Sequence, residues 1–314
     1  MSTFKTNAAV GLREDLIDTI YDISPTETPM ISSIGKTKAT ATFHEWQTDS
    51  LAAVNTNNAA VEGDDASSAT LAPTTRLGNY TQIVQKTISV SGTLDVVNKA
   101  GRKSEKAYQL AKASAELKRD MEAILLSNQA RSAGSSSTAR KLGSVLSWNK
   151  SNTNKGTGGA DPTTIGASTR TDGTQRAFTE AQLKDVIAKV FDSGGSPKIL
   201  MVGSGLKQKA STFAGIAGQR FNVTGMKPST IIGAADIYVS DFGNVSIVPN
   251  RFMRARDALV LDPEYAALAY LRPFATNELA KTGDSEKTQL LAEFTLEMRN
   301  EAAHGGVFDL DAAL

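Results

Sequence analysis

The chain has 314 residues, of which 40 % are hydrophobic, so it is long enough for two domains and rich enough in apolar side chains to bury a core. Its 34 Lys and Arg against 33 Asp and Glu give a net charge of +1, without the basic excess that grips nucleic acid through phosphates. The lack of cysteine removes disulfides, thiolate nucleophiles and cysteine–zinc sites and fits a reducing compartment; no apolar signal core or run of membrane-spanning length occurs.

In chain order, Leu12, Leu16, Ile20 and Ile23 recur at roughly helical spacing until Pro25 and Pro29 break the pattern. A short helix followed by an extended arm is predicted. Thr37 to Trp46 and Asn79 to Val90 are rich in Thr, Ile, Val and aromatic residues, as the two strands of a long hairpin would be. Between them, Leu51 to Thr75 is mostly small and polar, with an acidic cluster at Glu62, Asp64 and Asp65. A connection of that length has little to bury by itself, so its partner surface is expected on another molecule.

Ser104 is the predicted N-cap of a helix running to about Asn128. Ala107, Leu110, Ser114, Leu117, Met121 and Ile124 form its apolar stripe, with Glu105, Lys112, Glu116 and Arg119 on the far side. Such a helix, about 25 residues at 1.5 Å rise, spans roughly 37 Å. From Arg131 to Arg176 the composition shifts to Gly, Ser, Thr and Asn, with Trp148 as the one large anchor, which predicts a surface excursion at a domain boundary.

An α/β region follows. Thr179 and Gln182 form a capping box and Phe178 and Leu183 a hydrophobic staple, with Leu183, Val186, Ile187 and Val190 on one helix face. Strands are predicted at Lys198 to Val202, Ile237 to Ser240, Val245 to Val248 and Ala258 to Leu261. The final strand alternates, with Leu290, Ala292, Phe294, Leu296 and Met298 on one side and Leu291, Glu293, Thr295, Glu297 and Arg299 on the other. The result is an α+β protein of two interleaved domains.

Residues that would carry catalysis are sparse. His44 and His304 are the only histidines, and neither has the Ser and carboxylate neighbours of a triad motif, so structural or surface roles are expected. Val202-Gly-Ser-Gly205 lies where phosphate loops lie, but Gln208 stands where a dinucleotide fingerprint needs glycine, so a tight turn is expected. Glu293 and Glu297, four residues apart on one strand, are roughly 13 Å apart at 3.3 Å per residue, too far for a glycosidase pair; a solvated or inter-subunit face is expected. Asp262 with Glu264, and the trio Glu62, Asp64 and Asp65, match no calcium loop. Neither a cofactor nor a metal is expected.

Several blocks in order carry a resemblance: Leu12-Arg-Glu-Asp-Leu16, Ile23-Ser-Pro-Thr-Glu-Thr-Pro29, His44-Glu-Trp-Gln-Thr-Asp-Ser-Leu51, Gly101-Arg-Lys-Ser-Glu105, Thr171-Asp-Gly-Thr-Gln-Arg-Ala-Phe178, Val239-Ser-Asp-Phe-Gly243, Leu271-Arg-Pro-Phe274, Glu278-Leu-Ala-Lys-Thr-Gly-Asp284 and Arg299-Asn-Glu-Ala-Ala-His-Gly305. Together they resemble the major head proteins of tailed bacteriophages with the Hong Kong 97-like capsid fold. The resemblance implies an N-terminal arm (1–36), an extended loop (37–92), a peripheral domain with a spine helix (93–133 and 262–314), a Gly/Ser-rich surface insertion (134–177) and an axial domain (178–261).

It also implies a non-enzymatic shell protein. Copies of it would assemble as hexamers and pentamers into an icosahedral or prolate head around double-stranded DNA, first in the host cytoplasm and then in the virion. Scaffolding and portal proteins are the implied partners, with DNA near but not specifically bound and no membrane. Some relatives weld their shells through a loop lysine; no lysine occurs between Lys38 and Lys86, so a non-covalent shell is expected. The chain begins at the arm without a long charged helical prefix, so a separate scaffold is expected. Glu62, Asp64, Asp65, Arg76, Arg272 and Lys281 are the candidate inter-subunit contacts. The competing readings are a soluble nucleotide-using α/β enzyme built on the region after Phe178, or a tail or decoration protein, which would not need both the long helix and the long polar hairpin.

Overall fold

The computed structural model describes residues 26–63, 65, 68, 71–97, 104–213 and 236–313. The helix expected around Leu12 to Ile23 lies outside them. The described chain enters through helix α1 (Pro29–Ser33), strand β1 (Gly35–Lys38) and strand β2 (Phe43–Thr48). After the loop come β3 (Thr75–Tyr80), β4 (Gln82–Ser91) and the short α2 (Gly92–Val96). The long helix α3 (Glu105–Leu126) starts at the expected cap, where Ser104 Oγ accepts from Ala107 N–H. Next are α4 (Val145–Trp148), β5 (Thr153–Asn154), β6 (Arg176–Ala177), α5 (Glu180–Asp192), β7 (Ile199–Val202) and α6 (Ser204–Ala210). The chain ends through β8 (Ile237–Ser240), β9 (Gly243–Pro249), β10 (Ala258–Leu261), β11 (Ala266–Leu279), β12 (Ser285–Met298), β13 (Gly305–Val307) and β14 (Leu310–Asp311).

Two sheets organise these elements. A four-stranded sheet has the order β1-β11-β12-β4, and α3 lies across it. Leu117, Met121, Leu125 and Leu126 of the helix are fully buried in one core with Leu290, Ala292, Phe294, Leu296 and Met298 of β12. Each such side chain contributes roughly 1.5–3 kcal/mol when withdrawn from water. A six-stranded sheet has the order β5-β13-β10-β7-β9-β8. Helix α5 covers it, held at its start by the expected capping box between Thr179 and Gln182, and Phe178 and Leu183 are buried in the same second core.

Strands β7 and β10 show why the two halves cannot be separated cleanly. Leu200, Val202, Ala258 and Val260 face the second core, whereas Met201, Leu259 and Leu261 face the first. The period of two in a strand sends alternate side chains to opposite faces, so this sheet is the wall between both cores.

Several expectations change. Pro29 opens helix α1 rather than continuing an extended arm, because the fixed φ of proline suits the first helical position. The 37–46 and 79–90 strands do not pair along their length. Only β2 and β3 pair with one another, whereas β1 runs parallel to β11 and β4 runs antiparallel to β12 on the opposite edge. Ala107 is exposed, and Glu105 is buried at the helix start rather than on a solvent face.

The Gly/Ser-rich 134–177 segment is no surface excursion: Leu142, Val145, Leu146 and Trp148 are all fully buried, and β5 joins the six-stranded sheet. The C-terminal stretch, expected with the spine helix, also supplies β13 to that sheet. Two glycines hide β13 from pattern reading. A Cβ on Gly305 would come within 2.6 Å of Val186 Cγ1 and 2.8 Å of Asn152 O, so the strand must be bare for α5 to seat. Among the described residues no helix is long and apolar enough to cross a membrane.

Candidate assembly surfaces

The β2–β3 hairpin is anchored at its base and bare at its tip. Its register runs from Phe43 opposite Tyr80 to Thr48 opposite Thr75. Trp46 packs on Trp148 with ring centroids 5.3 Å apart, and buried Asn79 donates to Gly143 O at 3.0 Å and Leu296 O at 2.9 Å. Past Thr48 this support stops. Every described residue from Asp49 to Arg76 is exposed, including Leu51 at 98 %, Val54 at 92 %, Leu71 at 89 % and Val61 at 74 %. Four large apolar side chains left in water on one loop mark a surface meant to be covered.

Of the six candidate contact residues, Glu62 and Asp65 lie on this exposed loop, and Asp64 lies outside the described residues. The three basic candidates are each engaged within the subunit. Arg76 Nη2 is 2.6 Å from Glu45, Arg272 Nε is 2.8 Å from Glu293, and Lys281 Nζ is 2.8 Å from Glu286. The Arg76 and Lys281 pairs sit at the surface, where an ion pair contributes about 0–1 kcal/mol, whereas half-exposed Arg272 reaches a buried carboxylate. The fold does not bring Glu62 to them.

The residues weighed for catalysis take structural positions. Glu293 and Glu297, expected on a solvated or inter-subunit face, are buried. Burial pushes the Glu293 carboxyl up, but hydrogen bonds from Thr81 and Arg272 and the charges of Arg272 and Arg140 outweigh it and hold the group below the usual range. Glu297 is held low in the same way by Arg299, His44 and Thr37 against its burial. These partners were hidden from sequence reading, because Arg140 and His44 come from distant segments.

His304 is fully buried: Nδ1 accepts from Asp262 N–H at 3.3 Å, Nε2 lies 3.4 Å from Tyr265 O, and burial pushes its pKa down to about 4. It is a neutral structural imidazole. In the Gly-Ser-Gly turn, Gly203 caps the short helix α6, and a Cβ on Gly205 would meet Ala312 Cβ at 2.7 Å, so glycine here permits close packing. No group of three or more His, Cys, Asp or Glu positioned for a metal occurs among the described residues.

One charged cluster escaped sequence reading. Asp257 is fully buried, with Arg254 Nη1 3.2 Å from its Oδ2 in an ion pair whose geometry is not that of a hydrogen bond. Burial pushes this carboxyl up to about 6, further raised by Asp172 and opposed by Arg254, Arg170 and Arg256. Nearby, Arg170 pairs with Asp161 at 2.7 Å and stacks 3.4 Å above the Phe308 ring, while Arg256 pairs with Asp309 at 2.8 Å. The run Arg254-Ala-Arg-Asp257 was visible, but its partners from 161–172 and 308–309 were not. The cluster joins three chain segments.

A subunit whose loop leaves large apolar side chains bare points to assembly, and comparison with known proteins agrees. The family model described as SU10 major capsid protein matches residues 1–311. The chain belongs to this family. The major capsid protein of Escherichia phage Phieco32 is 31 % identical to it, over 95 % of this chain and 94 % of that one. Among solved structures, the cyanophage A-1(L) capsid asymmetric unit superposes with a TM-score of 0.68 at 12 % identity, covering 98 % of both chains. Gordonia phage Cozz gives 0.62 at 13 % identity, over 96 % of this chain and 91 % of that one. The fold is therefore the α+β, Hong Kong 97-like capsid fold. As a member of this family the protein is a structural, non-enzymatic major capsid protein of a tailed phage, and its place is the shell of the virion, built from many copies of itself.

Proposed function

We propose that copies of this chain associate as hexamers and pentamers into an icosahedral or prolate head around double-stranded DNA, with the 49–74 loop as the main reach from one subunit to the next. The observation that carries this reading is the bare loop: its apolar side chains have no cover in the subunit, and a repeating neighbour supplies one. Residues 1–36 act as the arm, 37–92 as the extended loop, and α3 with the β11–β12 ribbon as the peripheral domain. The axial domain takes 178–261, to which the sheet pairing adds 153–154 and 305–307.

Scaffolding and portal proteins are the partners in assembly, which takes place in the host cytoplasm; DNA is held by enclosure, in keeping with a net charge of +1. Glu62, Asp64 and Asp65 contribute to the loop's contacts. Arg76, Arg272 and Lys281 take part by sharing carboxylates they already hold. Single charge reversals at these six positions should lower shell yield, and unchanged assembly removes a residue from the contact set. The shell is non-covalent, so denaturing gels of intact heads should show monomer and no ladder.

The deciding experiment is negative-stain electron microscopy of the purified chain across concentration and salt, then with a co-expressed scaffold. Rings, capsomers or closed shells are expected. Monomers in every condition would overturn the reading.

A further inference from the structure

Glu122 lies on α3 and is fully buried, yet no cation accompanies it among the described residues. Its Oε1 accepts from Met30 N–H and from Asn250 Nδ2, each at 2.6 Å, and its Oε2 accepts from Ile31 N–H at 3.0 Å. These donors are 92, 128 and 91 positions away along the chain. Three parts of the subunit therefore meet on one carboxyl: the arm root at α1, the long helix, and the turn where β9 ends.

Both sides of the contact are particular. Thr28 makes no side-chain cap for α1 and Pro29 has no N–H, so Met30 and Ile31 present the first amides of that helix without a local partner. Glu122 supplies from α3 what the local sequence lacks. Asn250 is pinned elsewhere: its N–H donates to Val202 O at 2.8 Å, and its Oδ1 accepts from Phe252 N–H at 2.9 Å. Helix α1, only five residues long, is thus the partner that yields first.

Charge decides how it yields. Burial pushes the Glu122 carboxyl up, and the bonds from Met30, Ile31 and Asn250 oppose the rise without cancelling it. Helix α1 carries no charged side chain, Arg251 follows Asn250, and Lys118 and Arg119 lie one turn back on α3; none of these pairs with Glu122. Once α1 lifts away, water reaches the carboxyl and its grip on a proton returns to the ordinary level.

We propose that Glu122 is a proton-linked latch for the arm root: α1 docks most tightly while this carboxyl holds its proton, and lifts more readily as the proton leaves. The docked state, which binds the proton harder, is favoured fully below the ordinary carboxyl range and loses that advantage as pH rises through the raised value. Docking also fixes where the arm leaves the body, since Glu27 and Pro29 line one groove with Pro249 and Arg251. The use of the latch in assembly rests on the shell reading; the latch itself is a property of one subunit.

Site-resolved hydrogen exchange on the full chain tests it, below the concentration of assembly and corrected for the intrinsic pH dependence of exchange. Protection of the Met30 and Ile31 amides, taken relative to Leu125 and Leu126 in α3, should fall severalfold from pH 5 to pH 8. Glu122→Gln removes the titration, so the same ratio should stay level across that range. In the wild type, carbon-13 shifts of the Glu122 carboxyl, which need no variant, should titrate above the ordinary range.

A level wild-type ratio, an equal slope in Glu122→Gln, or an ordinary titration of the carboxyl overturns the latch. Each would leave the shell reading standing, because shells can form around a static arm root. A wild-type chain that stays monomeric with scaffold present removes the shell reading, while a sloping ratio in that chain still upholds the latch.

Discussion

Residues 49–74 and 131–176 are both rich in Ser, Thr, Asn and Ala, yet the described residues of the first stand in water while the second sends a cluster into the core. The difference lies in how their apolar residues are grouped. In the packed segment Leu142, Val145, Leu146 and Trp148 fall within seven positions and enter one cluster together. In the loop Leu51, Val54, Val61 and Leu71 are spread over twenty-one, too sparse for any to shield another.

Polar groups follow the same division. Around the packed cluster Gly143 N–H donates to Asn79 at 2.7 Å, Ser144 Oγ accepts from Gln129 N–H at 2.9 Å, and Asn128 exchanges bonds with the backbone of Arg170. Burial of polar backbone is tolerated only where such partners exist. Local density of apolar side chains with polar partners from elsewhere, rather than mean composition, decides which polar-rich segment folds inward.

The sharpest way to break this comparison is Trp148→Ala. It should lower subunit stability by about 3–5 kcal/mol in urea unfolding, because the ring is fully buried and holds Trp46 at the loop's base. Little change would return the segment to the surface.

Next come two pH effects confined to the neighbourhood of the packed segment. His304, whose carbonyl accepts from Asn152, has its pKa depressed from 6.5 to about 4, so the fold favours the neutral ring. Its contribution is complete above pH 6.5 and drains away as pH falls toward 4, on the order of 3 kcal/mol in all. Melting curves of the wild type between pH 7 and 4 should show this loss, and His304→Gln should flatten it.

Asp257 works in the opposite direction. Its carboxyl, raised from 3.8 to about 6, is held more readily as the neutral acid in the fold than in the unfolded chain. The cost of its charge is full above pH 6 and gone below 3.8. Asp257→Asn should therefore be more stable than wild type at pH 8, by up to about 3 kcal/mol, with the two converging as the medium is acidified. Equal stabilities at pH 8 would mean that the surrounding arginines already neutralise the cost.

The smallest effect belongs to the loop. Leu51→Ala and Leu71→Ala should alter the melting of the isolated subunit by less than about 0.5 kcal/mol while reducing shell yield. Destabilisation of the subunit itself would show that the loop folds back on its own body.

Legibility from sequence followed the same physics. Helix α3, α5 with its capping box, and the alternation of β12 were readable because each carries a periodic signal within one stretch of chain. Strand β13 was not, since Gly305 and Gly306 carry no side-chain pattern and owe their place to Val186 and Asn152. The buried pairing of Glu293 with Arg140 and Arg272 was also hidden, because its partners lie 153 and 21 positions away. The bare loop was legible from its composition.

Strand β13 lies between β5 and β10 in the six-stranded sheet, although it follows β12 in the chain. A nascent chain that has emerged only to β12 carries a sheet with an internal gap, and both β10 and β5 lack their shared neighbour. Folding of that half thus waits on synthesis of residues 305–307, a long-range closure of the slow kind. The order of strands acts as a completeness check: a chain that stops short of residue 305 lacks the strand that joins β5 to β10.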